Sequence, residues 1–278
     1  METDKYTGKG VTTAILDTGI YPHMDFGNRI IVFRDFVSYR SRPYDDNGHG
    51  THVAGILCGD GKASKGLYKG IAPSCRIAAL KVLDRFGNGN KENVMRAFRW
   101  ILRYHEQYHI RIVNISVGTT YKTGNDQDAL IRGVEELWDK GLIVVAAAGN
   151  LGPKPSSITA PGSSKKIITV GSSDLLEGSS GVSGCGPTYD CICKPDIVAP
   201  GNHIMSCVPG PDRFYSAKSG TSMSTPLVSG AIALKLEKNQ DLTNMEIKMM
   251  LKDSADDMGL SRNQQGWGKF NCKRFLSL

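Results

Sequence analysis

VTTAILDTG (Val11–Gly19) is an apolar run that ends in a carboxylate. Rich in β-branched and aliphatic side chains and without alternation, it reads as a strand buried on both faces, as strands of a parallel sheet are. Five further runs have the same character: Ile30–Phe33, Ile77–Leu83, Ile112–Val117, Leu142–Ala148 and Ile167–Val170. Helical patterns fall between several of them. Val94, Ala97, Phe98, Ile101 and Leu102 place one apolar stripe on a helix from about Glu92 to His105, and Ala129, Gly133, Val134, Leu137 and Trp138 do the same before the next strand. Near the end, Thr243 followed three residues later by Glu246 is a capping box for a helix carrying Ile247, Met250 and Leu251. Strands alternating with helices predict an α/β fold, a doubly wound and mostly parallel sheet with helices on both faces, in three layers. Sites in such sheets gather at the carboxyl ends of strands, where Asp17 and Ser116 fall.

The 278 residues, 40% hydrophobic and 22% charged, have ordinary globular composition. With no linker-like segment and no internal repeat, one domain over residues 1–278 is expected. The net charge of +7 comes from basic residues dispersed among acidic ones, which does not indicate nucleic acid; it reads as a solvated basic surface, or as attraction to acidic substrates or an anionic membrane surface. No apolar run approaches the ~20 residues of a membrane span. The opening METDKYTGKG lacks the apolar core of a secretory signal, which favours a cytoplasmic protein, although a signal already removed leaves the same trace. Seven cysteines cannot all pair internally, and Cys58, Cys75, Cys207 and Cys272 read as free thiols. Cys185, Cys191 and Cys193 are close enough in sequence for a soft metal or a redox pair, but their spacing matches no zinc pattern.

Two stretches carry chemistry to set beside Asp17. DDNGHGTHVAGIL (Asp45–Leu57) brings His49 and His52 to the start of a helical pattern, and GTSMSTP (Gly220–Pro226) sets Ser222 just before the apolar run LVSGAIALKL. A helix N-terminus offers free N–H groups and a dipole that favour developing negative charge. A serine hydroxyl is a poor nucleophile at neutral pH; it needs an imidazole to take its proton, and the imidazole needs a carboxylate to fix its tautomer. Taken singly, the same residues are common as turn formers, helix caps and hydrogen-bonded structural histidines.

DTG at Asp17, HGTHVAG at His49, AAAGN ending at Asn150 and GTSMSTP around Ser222 resemble, in order, the signature blocks of the subtilisin-like serine proteases. The likeness extends through GIAPSCRIAALKVLD (Gly70–Asp84), VNISVG (Val113–Gly118), ITVGSS (Ile168–Ser173) and KPDIVAPG (Lys194–Gly201), and looks nearest to the intracellular bacterial branch. The resemblance implies a serine endopeptidase in which Ser222 attacks, His49 is the general base, Asp17 orients it, and Asn150 donates to the oxyanion together with the Ser222 N–H. It makes His52 a packed, hydrogen-bonded bystander. It also implies a peptide-binding edge at Ser116, Val117 and Gly118. Ala147, Ala148 and Gly149 then wall the primary pocket with the segment Ile158–Gly162, where Thr159 narrows the floor, and Leu151 stands at the rim. All are uncharged, so an apolar or medium-sized residue is expected before the scissile bond. Asp46 matches a position that faces the next subsite in members cleaving after basic residues; on its own it and Asp45 read as turn acids.

The expected substrates are polypeptides, and catalysis needs no cofactor. CGDGKASKGLYKG lacks the Asn-rich loop that resembles the high-affinity calcium site of the secreted enzymes, so no recognisable calcium or other metal site is expected, while weaker calcium sites built from Asp side chains and carbonyls need no motif and stay open. The residues before Asp17 leave no room for the family's inhibitory prodomain, so either it has been removed or control is exerted otherwise; a prodomain or protein inhibitor is thus a candidate partner. Two alternatives remain beside hydrolysis: a peptide ligase or cyclase on the same fold, and a catalytically silent binding module.

Overall fold

The computed structural model describes residues 5–119, 125–178, 181–210 and 215–278. The Val11 run forms β1 (Thr12–Asp17), buried at every residue, with a parallel partner on each side: β3 (Arg76–Lys81) and β4 (Ile110–Ile115). Together with β2 (Ile30–Asp35), β5 (Ile143–Ala147), β6 (Ile168–Ser172) and β7 (Ile197–Ala199) they make a seven-stranded parallel sheet in the order β2-β3-β1-β4-β5-β6-β7. The six expected runs are all strands of this sheet, with ends shifted by one or two residues. β7 and a separate antiparallel hairpin of β8 (Ile204–Cys207) and β9 (Tyr215–Lys218) escape the sequence reading. β7 is only three residues long, and the hairpin is too polar and too little buried to stand out as an apolar run.

Helices cover both faces. α1 (His49–Cys58) packs against α4 (Thr221–Lys238), whereas α2 (Lys91–Tyr104) packs against α3 (Asn125–Asp139); α1 and α2 both reach β1, from opposite sides. α2 shows the amphipathic stripe expected of a surface helix, with Ala97, Phe98 and Ile101 buried. α4 is buried on nearly all sides and is the central helix of the fold. The capping box at Thr243 and Glu246 opens α5 (Asn244–Ser254) as read, with both hydrogen bonds made. Among the described residues no helix is long and apolar enough to cross a membrane.

Topology places the site. From β1 the chain moves one way across the sheet to β2 and β3, then crosses back to β4 and continues outward to β7, so its direction reverses between β1 and β4. The crevice at the carboxyl ends of strands at such a reversal is the usual ligand site of an open α/β sheet. Asp17 is the last residue of β1, and Ser116 follows β4 directly. α4, which carries Ser222, packs closely against α1 because Gly230 has no side chain: a Cβ there stands 2.7 Å from the Ile71 Cβ and 3.1 Å from the Leu57 carbonyl oxygen. Gly230→Ala is therefore expected to destabilise the fold by about 1–3 kcal/mol through overpacking, read as a melting temperature lowered by ~2–4 °C per kcal/mol. An unchanged melting temperature would show that α4 has slack at this contact.

Candidate active site

His49 is the first residue of α1, after a left-handed turn at Gly48 (φ 95°). Its Nδ1 lies 2.7 Å from Asp17 Oδ1, with His49 about one-quarter exposed and Asp17 buried. The same Asp17 oxygen accepts the Thr18 N–H at 2.7 Å. Burial alone lowers the proton affinity of the His49 imidazole, but the charge and hydrogen bond of Asp17 outweigh it and hold the pKa above 6.5. His52, three residues along α1, is placed differently. It is fully buried, its Nε2 lies 3.0 Å from the Ser216 carbonyl oxygen, and burial pushes its pKa down to about 4 despite that hydrogen bond. Neutral His52 thus donates from Nε2 to Ser216 in the packed role expected of it.

Two residues of the His49 segment depart from the reading as simple turn acids. Asp45 is buried and accepts five hydrogen bonds: from Thr18 Oγ1 (2.8 Å), the Gly48 (2.8 Å), Asn47 (3.2 Å) and Thr51 (2.9 Å) N–H groups, and Thr51 Oγ1 (2.6 Å). Burial raises its pKa, yet these donors, led by the Thr51 hydroxyl, bring it below the usual carboxylate value. Asp46 does not stand free over a subsite: its Oδ1 is 2.7 Å from Nζ of buried Lys81, which also donates to the carbonyls of Thr18 and Leu83. Asp46 is thus ion-paired with Lys81 while remaining 41% exposed.

On the other side of the crevice Ser222 occupies the first turn of α4. Its Oγ donates to the Ser116 carbonyl at 2.7 Å, and no hydrogen bond joins it to His49 in this rotamer. The Ser222 N–H has no acceptor among the described residues, while the flanking N–H groups are used, Thr221 on Asn150 Oδ1 (2.9 Å) and Met223 on the Gly220 carbonyl (2.9 Å). Asn150 Oδ1 also accepts Thr221 Oγ1 at 3.1 Å. A backbone N–H can only donate, so Thr221 fixes the amide oxygen on its own side and leaves the Asn150 NH2 group as the free end. Below, Asn114 donates to Ser116 Oγ (2.9 Å) and accepts from Ser229 Oγ (2.9 Å), tying the end of β4 to α4.

The expected pocket residues gather nearby. Ala147 and Ala148 are buried at the end of β5, Val117 is half-buried and Gly118 exposed. Thr159 donates to the Ala148 carbonyl (3.4 Å) and sits between Gly118 and Gly149, where a Cβ on either would come within 2.2 and 2.5 Å of its Oγ1. All seven cysteines are free. Cys185 is buried against the Pro153 and Lys154 carbonyls while Cys191 and Cys193 are exposed, and these thiols do not converge as metal ligands. His23, Asp25 and Cys207 do converge, their donor atoms within 4.8 Å. That set suits a soft metal better than calcium. Asp25, however, is already engaged by the Ala63 N–H (2.8 Å), the Tyr215 hydroxyl (2.6 Å) and the Cys207 thiol (3.6 Å), so the cluster reads as a hydrogen-bonded knot joining the β1 loop to the hairpin.

A carboxylate-oriented imidazole and a serine in the first turn of a helix, near the carboxyl end of a parallel sheet, are the parts from which serine hydrolases are built. The chain belongs to the subtilase family, whose model matches residues 8–268. It is 42% identical over 275 residues to the serine protease AprX of Bacillus subtilis (strain 168), covering 90% of this chain and 62% of AprX. It is 34% identical over 267 residues to Subtilisin Savinase of Lederbergia lenta, covering 96% of this chain and 91% of that protein. Among solved structures it resembles the S41 psychrophilic protease (TM-score 0.81, 29% identity, 96% of this chain and 92% of that one) and a cold-adapted subtilisin-like serine proteinase (TM-score 0.77, 31% identity, 96% and 88%). The chain spans less than two-thirds of the length of AprX.

Lys81, Asn114 and Thr221, to which the sequence reading gave no role, each act through a long-range hydrogen bond. The depressed pKa of His52 has a measurable consequence. Its folded value of about 4 lies below the unfolded 6.5, so the folded state binds fewer protons between these pH values. The contribution of His52 to stability is then level above pH 6.5 and falls by on the order of 3 kcal/mol as the pH drops to 4, most of it above the range in which carboxylates protonate. Urea unfolding of the wild type compared with His52→Gln from pH 8 to pH 5 checks this, since the difference cancels the opposite contribution of His49; a difference that does not change with pH would contradict a buried neutral His52.

Proposed function

We propose that the chain is a serine endopeptidase working through an acyl-enzyme, with Asp17, His49 and Ser222 as its triad and Asn150 as side-chain donor to the oxyanion. The observation that carries this reading is the 2.7 Å contact between His49 Nδ1 and buried Asp17, which leaves Nε2 as the ring nitrogen able to take a proton. His49 Nε2 takes the Ser222 proton as Oγ adds to the substrate carbonyl. The resulting oxyanion meets the unused Ser222 N–H and the NH2 group that Thr221 holds outward. His49⁺ then gives its proton to the leaving amine, and water repeats the sequence on the ester. All of this uses side chains and backbone alone, with no cofactor.

The Ser222 hydroxyl first has to leave the Ser116 carbonyl. An extended peptide pairing along Ser116, Val117 and Gly118 offers its own N–H to that carbonyl, and so releases the hydroxyl to His49 as the substrate arrives. Uncharged walls from Ala147, Ala148 and Gly149, narrowed by Thr159, suit an apolar or medium-sized residue before the scissile bond.

A fluorophosphonate is expected to label the protein at Ser222 and to leave Ser222→Ala unlabelled. Asn150→Ala is expected to lower kcat by about 100- to 1000-fold with little change in KM, since the donor acts on the transition state. Labelling at another residue, or full kcat in Asn150→Ala, would overturn the assignment; a folded wild type that neither reacts nor cleaves would indicate a binding module.

A further inference from the structure

Arginines far apart in sequence share one groove. Arg34 from β2, Arg40 from the following loop, and Arg96, Arg99 and Arg103 from α2 line a depression of about 690 Å³ beside the edge strand of the sheet. The spacing of the last three puts them along one face of the helix. Aromatic rings lie among them: Trp100 and Tyr104 meet at a tilt (ring centroids 5.2 Å apart), the Arg103 guanidinium is 5.5 Å from the Tyr104 ring, and that of Arg40 is 4.8 Å from Tyr44. Tyr39 stands 68% exposed over the groove with a left-handed backbone (φ 58°), a strained conformation for a bulky residue, and its hydroxyl accepts a hydrogen bond from Arg96.

The positive charge here is largely unanswered. Asp35, the one carboxylate in the lining among the described residues, is consumed by the N–H groups of Val37, Ser38 and Arg40 and by the Tyr44 hydroxyl. Glu92 at the rim serves Arg96 and Arg99 with the same oxygen. Arg34, Arg40 and Arg103 have no carboxylate partner among the described residues. Guanidinium groups match carboxylates in planar, two-pronged geometry, and aromatic faces shelter the same cations.

We propose that this groove is a docking site for an acidic stretch of polypeptide, remote from the bond to be cut. A polypeptide fits better than another polyanion for two reasons. β2 is an edge strand with no strand paired to its outer side among the described residues, the kind of edge to which an extended chain can add. The loop that lines the groove also runs on through Tyr44 to Asp45, the anchor of α1, so an occupant lies along the segment that positions His49. Its use in substrate capture rests on the protease reading; the docking itself does not.

The test separates the two. Fluorescence anisotropy with a labelled oligoglutamate peptide and the full Ser222→Ala chain reads binding without cleavage. Binding is expected at low salt, absent for oligoglutamine, and weakened about tenfold or more by Arg96→Gln, Arg99→Gln and Arg103→Gln together, or by high salt. In otherwise wild-type protein, an oligoglutamate tail on a short neutral substrate is expected to lower KM at unchanged kcat, an advantage lost in the triple variant. Equal cleavage of the untailed substrate by both proteins shows that the variant is folded. No binding of oligoglutamate, binding indifferent to the three substitutions, or tighter binding of a single-stranded oligonucleotide would overturn the proposal. Absent cleavage with arginine-dependent binding intact would contradict the protease reading and leave the docking site standing.

Discussion

The contact between Asp17 and His49 is the constraint around which the crevice is arranged. It joins the end of a central strand to the first residue of a helix, and the helix must press against the strand loop for the two side chains to meet. Gly50 permits this: a Cβ there stands 2.2 Å from the Gly19 carbonyl oxygen and 3.1 Å from the Asp17 Cβ. Thr18 accepts the Gly50 N–H with its hydroxyl and donates the same hydroxyl to Asp45, which in turn holds the N-terminal N–H groups of α1. Lys81 fastens the opposite side of the loop by bridging the Thr18 carbonyl and Asp46. Such buried polar groups add little net stability when satisfied and are costly when broken, so their effect is to hold one geometry.

The serine half is built by the same logic on other elements. Thr221 orients Asn150, Asn114 links Ser116 to Ser229, and the central helix that carries Ser222 is locked by close packing at Gly230. The two halves meet where the sheet reverses direction, between β1 and β4, so each can be rigid while the crevice between them stays open to a peptide. Ser222 bonds the Ser116 carbonyl and not His49; on the proposed reading its bond to His49 forms only as substrate arrives.

Much of this was legible in the chain. Strands buried on both faces leave unbroken apolar runs, which is why β1 and its neighbours could be read, and α2 shows its stripe because one side meets water. β7 and the β8–β9 hairpin lack either signal. His49 and His52 lie on one helix three residues apart, and only the family pattern distinguished them; the structure does so by partner, a buried carboxylate for one and a carbonyl for the other. Asp46, read as a turn acid, gave no sign of its ion pair because its cation, Lys81, sits 35 residues away in a run that reads as a buried strand. The groove arginines look dispersed for the same reason: proximity across a sheet edge has no local signature.

NMR of His49 in the Ser222→Ala chain, labelled with 15N at histidine, tests the Asp17–His49 contact most directly. The account predicts that Nδ1 keeps its proton throughout the titration, that the pKa lies above 6.5, and that Asp17→Asn lowers it. A His49 that titrates at or below 6.5, or whose pKa is indifferent to Asp17→Asn, would mean that the carboxylate does not govern the imidazole and that the site is not organised as described.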